Sequence, residues 1–214
     1  MAVHRQPTGR PGSERPDDPP EGFRPALDSL RAARVRPEVV IDETPAPQRL
    51  APFAVALSAE VRPHKGGAAD LELAAGRLVV LHDPAGQEAW DGTTRVVAYV
   101  RAGCDLEMAA DPLLTAVGWS WLTESLDGRG AAYSSASGTV TRVASESFGG
   151  MAATPATAEI ELRASWSPLD DELGRHLEAW GDLLCQAAGL PPLPPGVATI
   201  PPRRARKTAA SRRR

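Results

Sequence analysis

The residues best suited to chemistry are a histidine and several acids at the end of a predicted strand. His82 and Asp83 end that strand, and the loop after them carries Glu88, Trp90 and Asp91. An imidazole beside carboxylates could act as a general base, or it could bind a metal ion together with Glu88. The alternative is that Asp83 starts a turn and His82 is only the polar end of a strand. No HExxH or similar ligand spacing accompanies the cluster, so we expect no metal and no cofactor.

Two tryptophans form a second candidate site, for binding a ligand or a protein. Trp119 and Trp121 lie in a predicted helix with Glu124, on neighbouring faces. Indoles placed in this way could form the wall of a ligand site or anchor a protein interface, because Trp is enriched in binding hot spots. The alternative is that both pack against the sheet. We expect one of them to belong to the core and the other to be available for binding, with Trp90 as a further aromatic candidate.

Other polar motifs have simpler explanations. Ser134, Ser135 and Ser137 stand beside Gly138 without a GxSxG elbow or a placed histidine, which favours a polar turn that enters a strand over a nucleophile. The glycine pairs lack the spacing of a nucleotide-binding loop. His176 flanks the apolar face of the last predicted helix, where a half-buried histidine with its hydrogen bonds made is expected.

The chain has two cysteines, Cys104 and Cys185, far apart and outside any CxxC pattern. This spacing excludes a standard zinc or iron–sulfur site. A disulfide scaffold is not expected in a chain of this length without an export signal. We expect two ordinary buried thiols.

Charge is unevenly distributed along the chain. The last twelve residues hold seven bases and no acid, which leaves 17 basic and 27 acidic residues in the other 202 positions, a balance of −10. The acidic body argues against nucleic-acid binding by the folded part, although the basic end could touch nucleic acid. The seven bases are Arg203, Arg204, Arg206, Lys207, Arg212, Arg213 and Arg214. The longest apolar runs have four residues, so we expect no membrane span and a cytoplasmic location.

Hydrophobic periodicity predicts the elements that would position these residues. Helices are predicted over 23–35, 112–126 and 173–187. Strands are predicted over 39–41, 53–61, 77–82, 94–101, 133–146 and 158–166. The Asp83-Pro84-Ala85-Gly86 sequence predicts a turn directly after the third strand, opening an elaborated hairpin loop. The short connections indicate an α+β fold with a mostly antiparallel sheet, in the order α-β-β-β-β-α-β-β-α.

One domain is predicted over residues 22–190. Residues 1–21 are polar and rich in proline, glycine and charge, a composition that predicts disorder. Residues 191–214 are first proline-rich and then basic, which predicts an extended and then disordered end.

Six segments of the sequence carry a resemblance to a known family. They are Leu-Ala-Pro-Phe at 50–53, Arg-Leu-Val-Val-Leu-His-Asp-Pro-Ala-Gly at 77–86, Glu-Met-Ala-Ala-Asp-Pro-Leu-Leu at 107–114, Trp-Ser-Trp-Leu at 119–122, Ser-Gly-Thr-Val-Thr-Arg at 137–142 and Trp-Gly-Asp-Leu-Leu-Cys at 180–185. In these segments the chain resembles an uncharacterised actinobacterial family, the domain-of-unknown-function family numbered three thousand. The resemblance covers about residues 22–190. It implies no activity, cofactor or catalytic residue.

One position departs from the family pattern. The family's run before its last cysteine resembles Trp-Cys-Asp-Leu-Leu-Cys, and Gly181 stands here at the second position of that run. The missing thiol argues against a redox role. The order of elements also resembles the type III secretion chaperone-like fold with one extra strand, and members of that fold bind proteins and commonly dimerise. This likeness concerns the fold alone.

The leading functional hypothesis is therefore a non-catalytic module that binds a protein partner or itself as a homodimer. One alternative is a small hydrolase or lyase that uses His82, Asp83 and Glu88. Another is a nucleic-acid accessory protein that acts through the basic residues 203–214.

Overall fold

The computed structural model describes residues 19–63 and 72–191 of the 214-residue chain. These residues form four helices and six strands, with three short 3-10 turns at Glu21–Phe23, Glu88–Trp90 and Gly149–Met151. In chain order they are α1 (Arg24–Ala32), β1 (Val39–Thr44), β2 (Phe53–Val61), β3 (Ala74–Gln87), β4 (Gly92–Cys104), α2 (Leu106–Ala110), α3 (Leu114–Gly128), β5 (Tyr133–Ser145), β6 (Thr157–Pro168) and α4 (Leu173–Ala187). None of the described helices has the length and apolar character needed to cross a bilayer.

The six strands form one antiparallel sheet in the order β1-β2-β3-β4-β6-β5. β6 lies between β4 and β5, so the chain leaves β4, forms α2 and α3, runs along the sheet edge as β5 and returns inward as β6. The predicted α+β class and antiparallel sheet are confirmed. The short helix α2 is an addition to the predicted order. The likeness to the secretion chaperones stays a prediction.

The long helices pack on one face of the sheet. In α4, Trp180 and Leu184 lie so close to β3 that a Cβ atom on Gly76 would stand 2.9 Å from each of them and 2.6 Å from the Tyr99 carbonyl oxygen. In α3, Gly118 approaches Ile160 of β6, where a Cβ atom would stand 3.1 Å from that side chain. Gly76 has to be glycine because a Cβ atom would overlap a backbone carbonyl, whereas Gly118 marks a close contact between a helix and a strand.

Alternation along β6 sorts its side chains between the two faces. The inward residues Ala158, Ile160, Leu162, Ala164 and Trp166 are all buried. The outward face of the sheet carries charged and polar residues instead, including an Arg163 guanidinium 5.4 Å above the Tyr99 ring. The prediction that this strand has one wet face is confirmed.

The predicted turn at 83–86 is wrong in its position. β3 continues to Gln87, and the chain reverses at Glu88–Trp90, where Asp91 takes a left-handed φ of 53°. The pairing of β3 with β4 is irregular between His82 and Gln87. Asp83 stabilises this irregular segment, because its carboxylate accepts a hydrogen bond from the Ala85 amide at 3.0 Å. The turn-forming residues therefore make a bulge within a longer strand.

Smaller differences occur at other element boundaries. The first strand extends to Thr44, beyond the predicted end at residue 41. The central helix begins at Leu114 instead of residue 112, and Asp111 Oδ1 accepts a hydrogen bond from the Leu113 amide at 2.8 Å just before it. The predictions for residues 1–18 and 192–214, including the basic end, lie outside the described residues.

Candidate functional site

His82 points toward the helix-covered face of the sheet and is nearly buried. Its ring stacks on Phe23 with the centroids 4.2 Å apart and 5° between the planes, and Nδ1 lies 3.0 Å from Thr94 Oγ1. Burial lowers the pKa of His82, against the raising effect of Asp83 and Asp171. The side chain is held as a neutral packing group.

The neighbouring acids do not converge on this imidazole. Asp83 is engaged within the bulge, where its carboxylate accepts hydrogen bonds from the Ala85 amide at 3.0 Å and from Gln87 Nε2 at 3.1 Å. Glu88 is exposed in the turn beyond. Across residues 19–63 and 72–191, no three histidine, cysteine or acidic side chains come together as a group that could hold a metal ion. The hydrolase or lyase hypothesis stays a prediction to which this placement adds no support.

The three candidate tryptophans have different environments, although each is half-buried. The Trp90 carbonyl accepts a hydrogen bond from the Ser167 hydroxyl, which ties the β3–β4 turn to β6. Trp119 packs over β5, where a Cβ on Gly138 would stand 2.9 Å from the indole. Trp121 lines an open cleft. Trp119 is thus mainly a packing residue, whereas Trp121 presents part of its ring at a concave surface.

This cleft has a volume of about 1050 Å³ and lies where several elements end. We call it the terminal cleft. Its walls come from the end of β4, from α2, from α3, from the start of β6 and from the end of α4. The side chains that matter below are Cys104, Asp105, Leu106, Met108, Trp121, Glu124, Glu159 and Leu190.

Hydrogen bonds between elements fix the walls of the terminal cleft. Arg142 of β5 donates through Nη1 to the carbonyl oxygens of Ala109 at 3.1 Å and Asp111 at 2.6 Å, which holds the end of α2 against the sheet. Gln186 Nε2 donates to Ser125 Oγ at 3.1 Å and joins α4 to α3. The short helix α2 therefore stays in place without a large apolar face of its own.

The terminal cleft is acidic. Asp105, Glu124 and Glu159 line it, and no basic residue belongs to its described lining. Burial raises the pKa of the Cys104 thiol, and the nearby Asp105 and Glu159 carboxylates raise it further. Cys104 is half-buried, so the expectation of two buried thiols is correct for Cys185 alone. The field of the cleft favours a cationic occupant.

Two exposed apolar side chains, Leu106 and Met108 of α2, line the terminal cleft. Four other exposed apolar residues lie just before or in α3 and in the β5–β6 connection, whose Ala156 lines the cleft. They are Leu113, Val117, Phe148 and Met151. Exposed apolar side chains at a concave surface are typical of a protein interaction site.

A buried arginine forms a second polar site, on the outward face. Arg95 donates to the Ser135 carbonyl at 3.0 Å, to the Ser165 carbonyl at 3.2 Å and to the hydroxyls of Ser137, Ser165 and Ser167. No ion pair to Arg95 occurs within the described part of the chain. Ser135 has a φ of 52°, and the β5–β6 register shifts between Ser134 and Ser137. The serine run is therefore a bulge that is held in place by a guanidinium.

His176 is more buried than expected. It is 1% exposed, Nδ1 accepts a hydrogen bond from Trp166 Nε1 at 3.0 Å, and Nε2 has no hydrogen-bond partner among the described residues. Burial lowers its pKa to about 4. The imidazole is neutral and belongs to the core.

Comparison with known proteins gives a family and no activity. No curated protein matches the chain. No solved structure matches it either. A family model described as "Protein of unknown function (DUF3000)" matches residues 19–198, which include every described helix and strand. The chain belongs to this family of proteins of unknown function.

Proposed function

We propose that this protein is a non-catalytic binding module that holds a peptide segment of a protein partner in the terminal cleft. The proposal rests on one observation, the exposed apolar side chains of Leu106 and Met108 in the lining of a concave, acidic surface. Such a surface suits a segment with apolar and basic side chains, because the first would bury area and the second would neutralise the three carboxylates.

Self-association through the same end of the molecule is the second form of the proposal. A copy of the chain would cover the apolar side chains on α2 and in the β5–β6 connection. The free thiols Cys104 and Cys185 are compatible with a reducing compartment, which supports a cytoplasmic location as part of the proposal.

Selection from a displayed library of random peptides tests the first form, with two single variants as a matched pair. Met108→Lys places a positive charge on α2 at the cleft, at a residue that is 44% exposed. Leu169→Lys places the same charge on a residue that is 63% exposed, just after the opposite end of β6. Selected peptides should lose about tenfold or more in affinity with Met108→Lys, about 1.4 kcal/mol, because the lysine removes an apolar contact and repels the bases of the peptide. They should bind the Leu169→Lys variant as they bind the parent chain.

Light scattering of the same three chains after size-exclusion chromatography tests the second form. A dimer that the Met108→Lys variant cannot form, and that the Leu169→Lys variant does form, would support self-association at the cleft. The proposal would be wrong if the parent chain is monomeric and its selected peptides bind both variants equally well, because no binding would then depend on this surface.

A further inference from the structure

The described chain ends at the rim of the terminal cleft. Gly189, with a φ of 73°, terminates α4, and the Leu190 amide donates to the Cys185 carbonyl at 2.9 Å. Gly189 and Leu190 both line the cleft. Pro191 follows, and Arg36 Nη1 donates to its carbonyl oxygen at 2.7 Å. The next residues therefore start from a fixed point beside the cleft.

The sequence of those next residues is complementary to the cleft. Residues 191–202 read Pro-Pro-Leu-Pro-Pro-Gly-Val-Ala-Thr-Ile-Pro-Pro, and four of the five residues after them are basic. Proline-rich segments bind grooves lined by aromatic side chains, and Trp121 supplies an indole here. Bases suit the carboxylates of Asp105, Glu124 and Glu159, which no lining base neutralises within the described structure.

Two further observations favour this segment as the occupant. It starts at the cleft itself, because Leu190 belongs to the lining and Pro191 follows directly. The family match also continues to residue 198, although the last helix ends at Ala187. The family thus includes most of the proline-rich segment as well as the fold.

We propose that residues 192–207 of the chain itself occupy the terminal cleft, with the prolines against Trp121 and the bases beside the carboxylates. This inference rests on the proposed function, because it makes the segment an internal competitor of the partner peptide. A segment tethered at the rim has an effective concentration in the millimolar range, so modest affinity is enough to fill the cleft. A partner peptide must displace the segment, so only peptides with high affinity for the cleft would bind.

Cys104 offers a direct measure of occupancy. Its thiol is half-buried in the cleft lining, whereas Cys185 is fully buried and burial raises the pKa of Cys185 to about 12. Iodoacetamide, an uncharged reagent, should therefore alkylate Cys104 first. The rate at Cys104 in the full chain, followed by mass spectrometry and peptide mapping, reports how often the cleft is open.

Charge reversal of the segment in the full chain tests the inference. The variant carries Arg203→Glu, Arg204→Glu, Arg206→Glu and Lys207→Glu, and the control carries Arg212→Glu, Arg213→Glu and Arg214→Glu, outside the proposed segment. The first variant should alkylate about tenfold faster at Cys104 if the segment fills the cleft nine-tenths of the time. The control should react at the parent rate. Added acids would raise the pKa of the thiol and slow the reaction, so faster alkylation cannot be a direct charge effect.

A compensating change makes the test specific. Glu124→Arg, added to the charge-reversed segment, should restore part of the protection of Cys104. If charge reversal had only loosened the domain, Glu124→Arg would restore none of it. Salt at about 1 M should accelerate alkylation more in the parent chain than in the charge-reversed variant, because in the variant no attraction between segment and cleft is left to screen. Equal rates in the parent, the variant and the control would overturn the inference.

The two proposals fail in different ways. If selected peptides bind the cleft but Cys104 reacts equally in all chains, the partner site stands and the internal competitor is wrong. If charge reversal exposes Cys104 and the opened cleft still selects no peptide, the segment occupies the cleft and the partner proposal is wrong. If charge reversal exposes Cys104 and also tightens peptide binding, both are supported.

Discussion

Replacing His176 with asparagine should change how the stability of the domain depends on pH. His176 is fully buried, accepts a hydrogen bond from Trp166 and has its other nitrogen without a partner among the described residues. Protonation would place a charge in this apolar surrounding, so burial lowers the pKa of His176 to about 4. The unfolded chain, in which this group is hydrated, titrates near 6.5.

The direction and size of the effect follow from these two values. Between pH 6.5 and pH 4 the unfolded chain binds a proton that the folded chain refuses, so stability falls as the pH is lowered. A difference of about 2.5 pH units at 1.36 kcal/mol per unit gives about 3 kcal/mol over the whole window. About 2.5 kcal/mol of this loss should be present at pH 4.5. Above pH 7 His176 should contribute no pH dependence.

Urea unfolding followed by tryptophan fluorescence, at pH 7.5 and at pH 4.5, measures this loss. His176→Asn keeps an acceptor for Trp166 in its amide oxygen but cannot titrate. The free energy of unfolding of the parent should therefore fall by about 2.5 kcal/mol more than that of the variant between the two pH values. Carboxylates contribute equally to both chains and cancel in this comparison. Parallel pH profiles for the two chains would refute the reasoning, because His176 would then titrate alike in the folded and unfolded states.

Two further substitutions test packing and the buried guanidinium, each against a control that differs in one respect. Gly76→Ala should destabilise the domain by about 1–3 kcal/mol, since its Cβ would stand 2.6 Å from a carbonyl oxygen, while Gly103→Ala, with nothing within 4 Å, should cost nothing measurable by the same urea assay. Arg95→Met should lower the free energy of unfolding by about 1–3 kcal/mol because it leaves buried carbonyls and hydroxyls without a donor, whereas Arg163→Met, at an exposed site, should change it by less than about 1 kcal/mol. If a variant and its control lost the same free energy of unfolding, the contact tested by that pair would not stabilise the domain.

The parts of the fold that the sequence predicts are those where one local rule operates. β6 alternates strictly between apolar and polar residues, and α4 repeats apolar residues every three to four positions, so both were predicted to within a few residues. The error in β3 has the opposite cause. Asp83 and Gly86 carry turn chemistry, but a bulge uses the same residues, and pairing with β4 decides between the two.

The candidate site depended on contacts that sequence patterns do not encode. Trp121, a candidate from the sequence, lines the cleft, but the acidic lining joins residues from three separate segments, at 105, 124 and 159. Arg95 gave no signal at all, because an arginine in a strand is normally exposed and only its serine partners across β5 and β6 show that it is buried. The prediction that residues 83 and 88 join His82 found no support, because Asp83 accepts hydrogen bonds from Ala85 and Gln87 within the bulge and Glu88 lies in the turn beyond it.

The outward face of the sheet is the other large surface that a partner could use, and its own interactions argue against it. Arg163 is paired with Glu161 at 3.0 Å and lies over Tyr99, so both its charge and its flat surface are already engaged. Arg77 donates to the Pro45 carbonyl at 2.8 Å, which draws the β1–β2 connection toward this side. A partner here would have to break these contacts before it gained any.

The terminal cleft differs from the sheet face, because its exposed apolar and acidic groups are not engaged in described ion pairs. Leu106 and Met108 expose apolar area to water, and the three lining carboxylates have no lining base to neutralise them within the described structure. Covering the apolar area and adding positive charge are both favourable, and neither requires breaking a described ion pair. A basic, apolar segment therefore gains more at the cleft than on the sheet face, whether it comes from a partner or from the end of the chain itself.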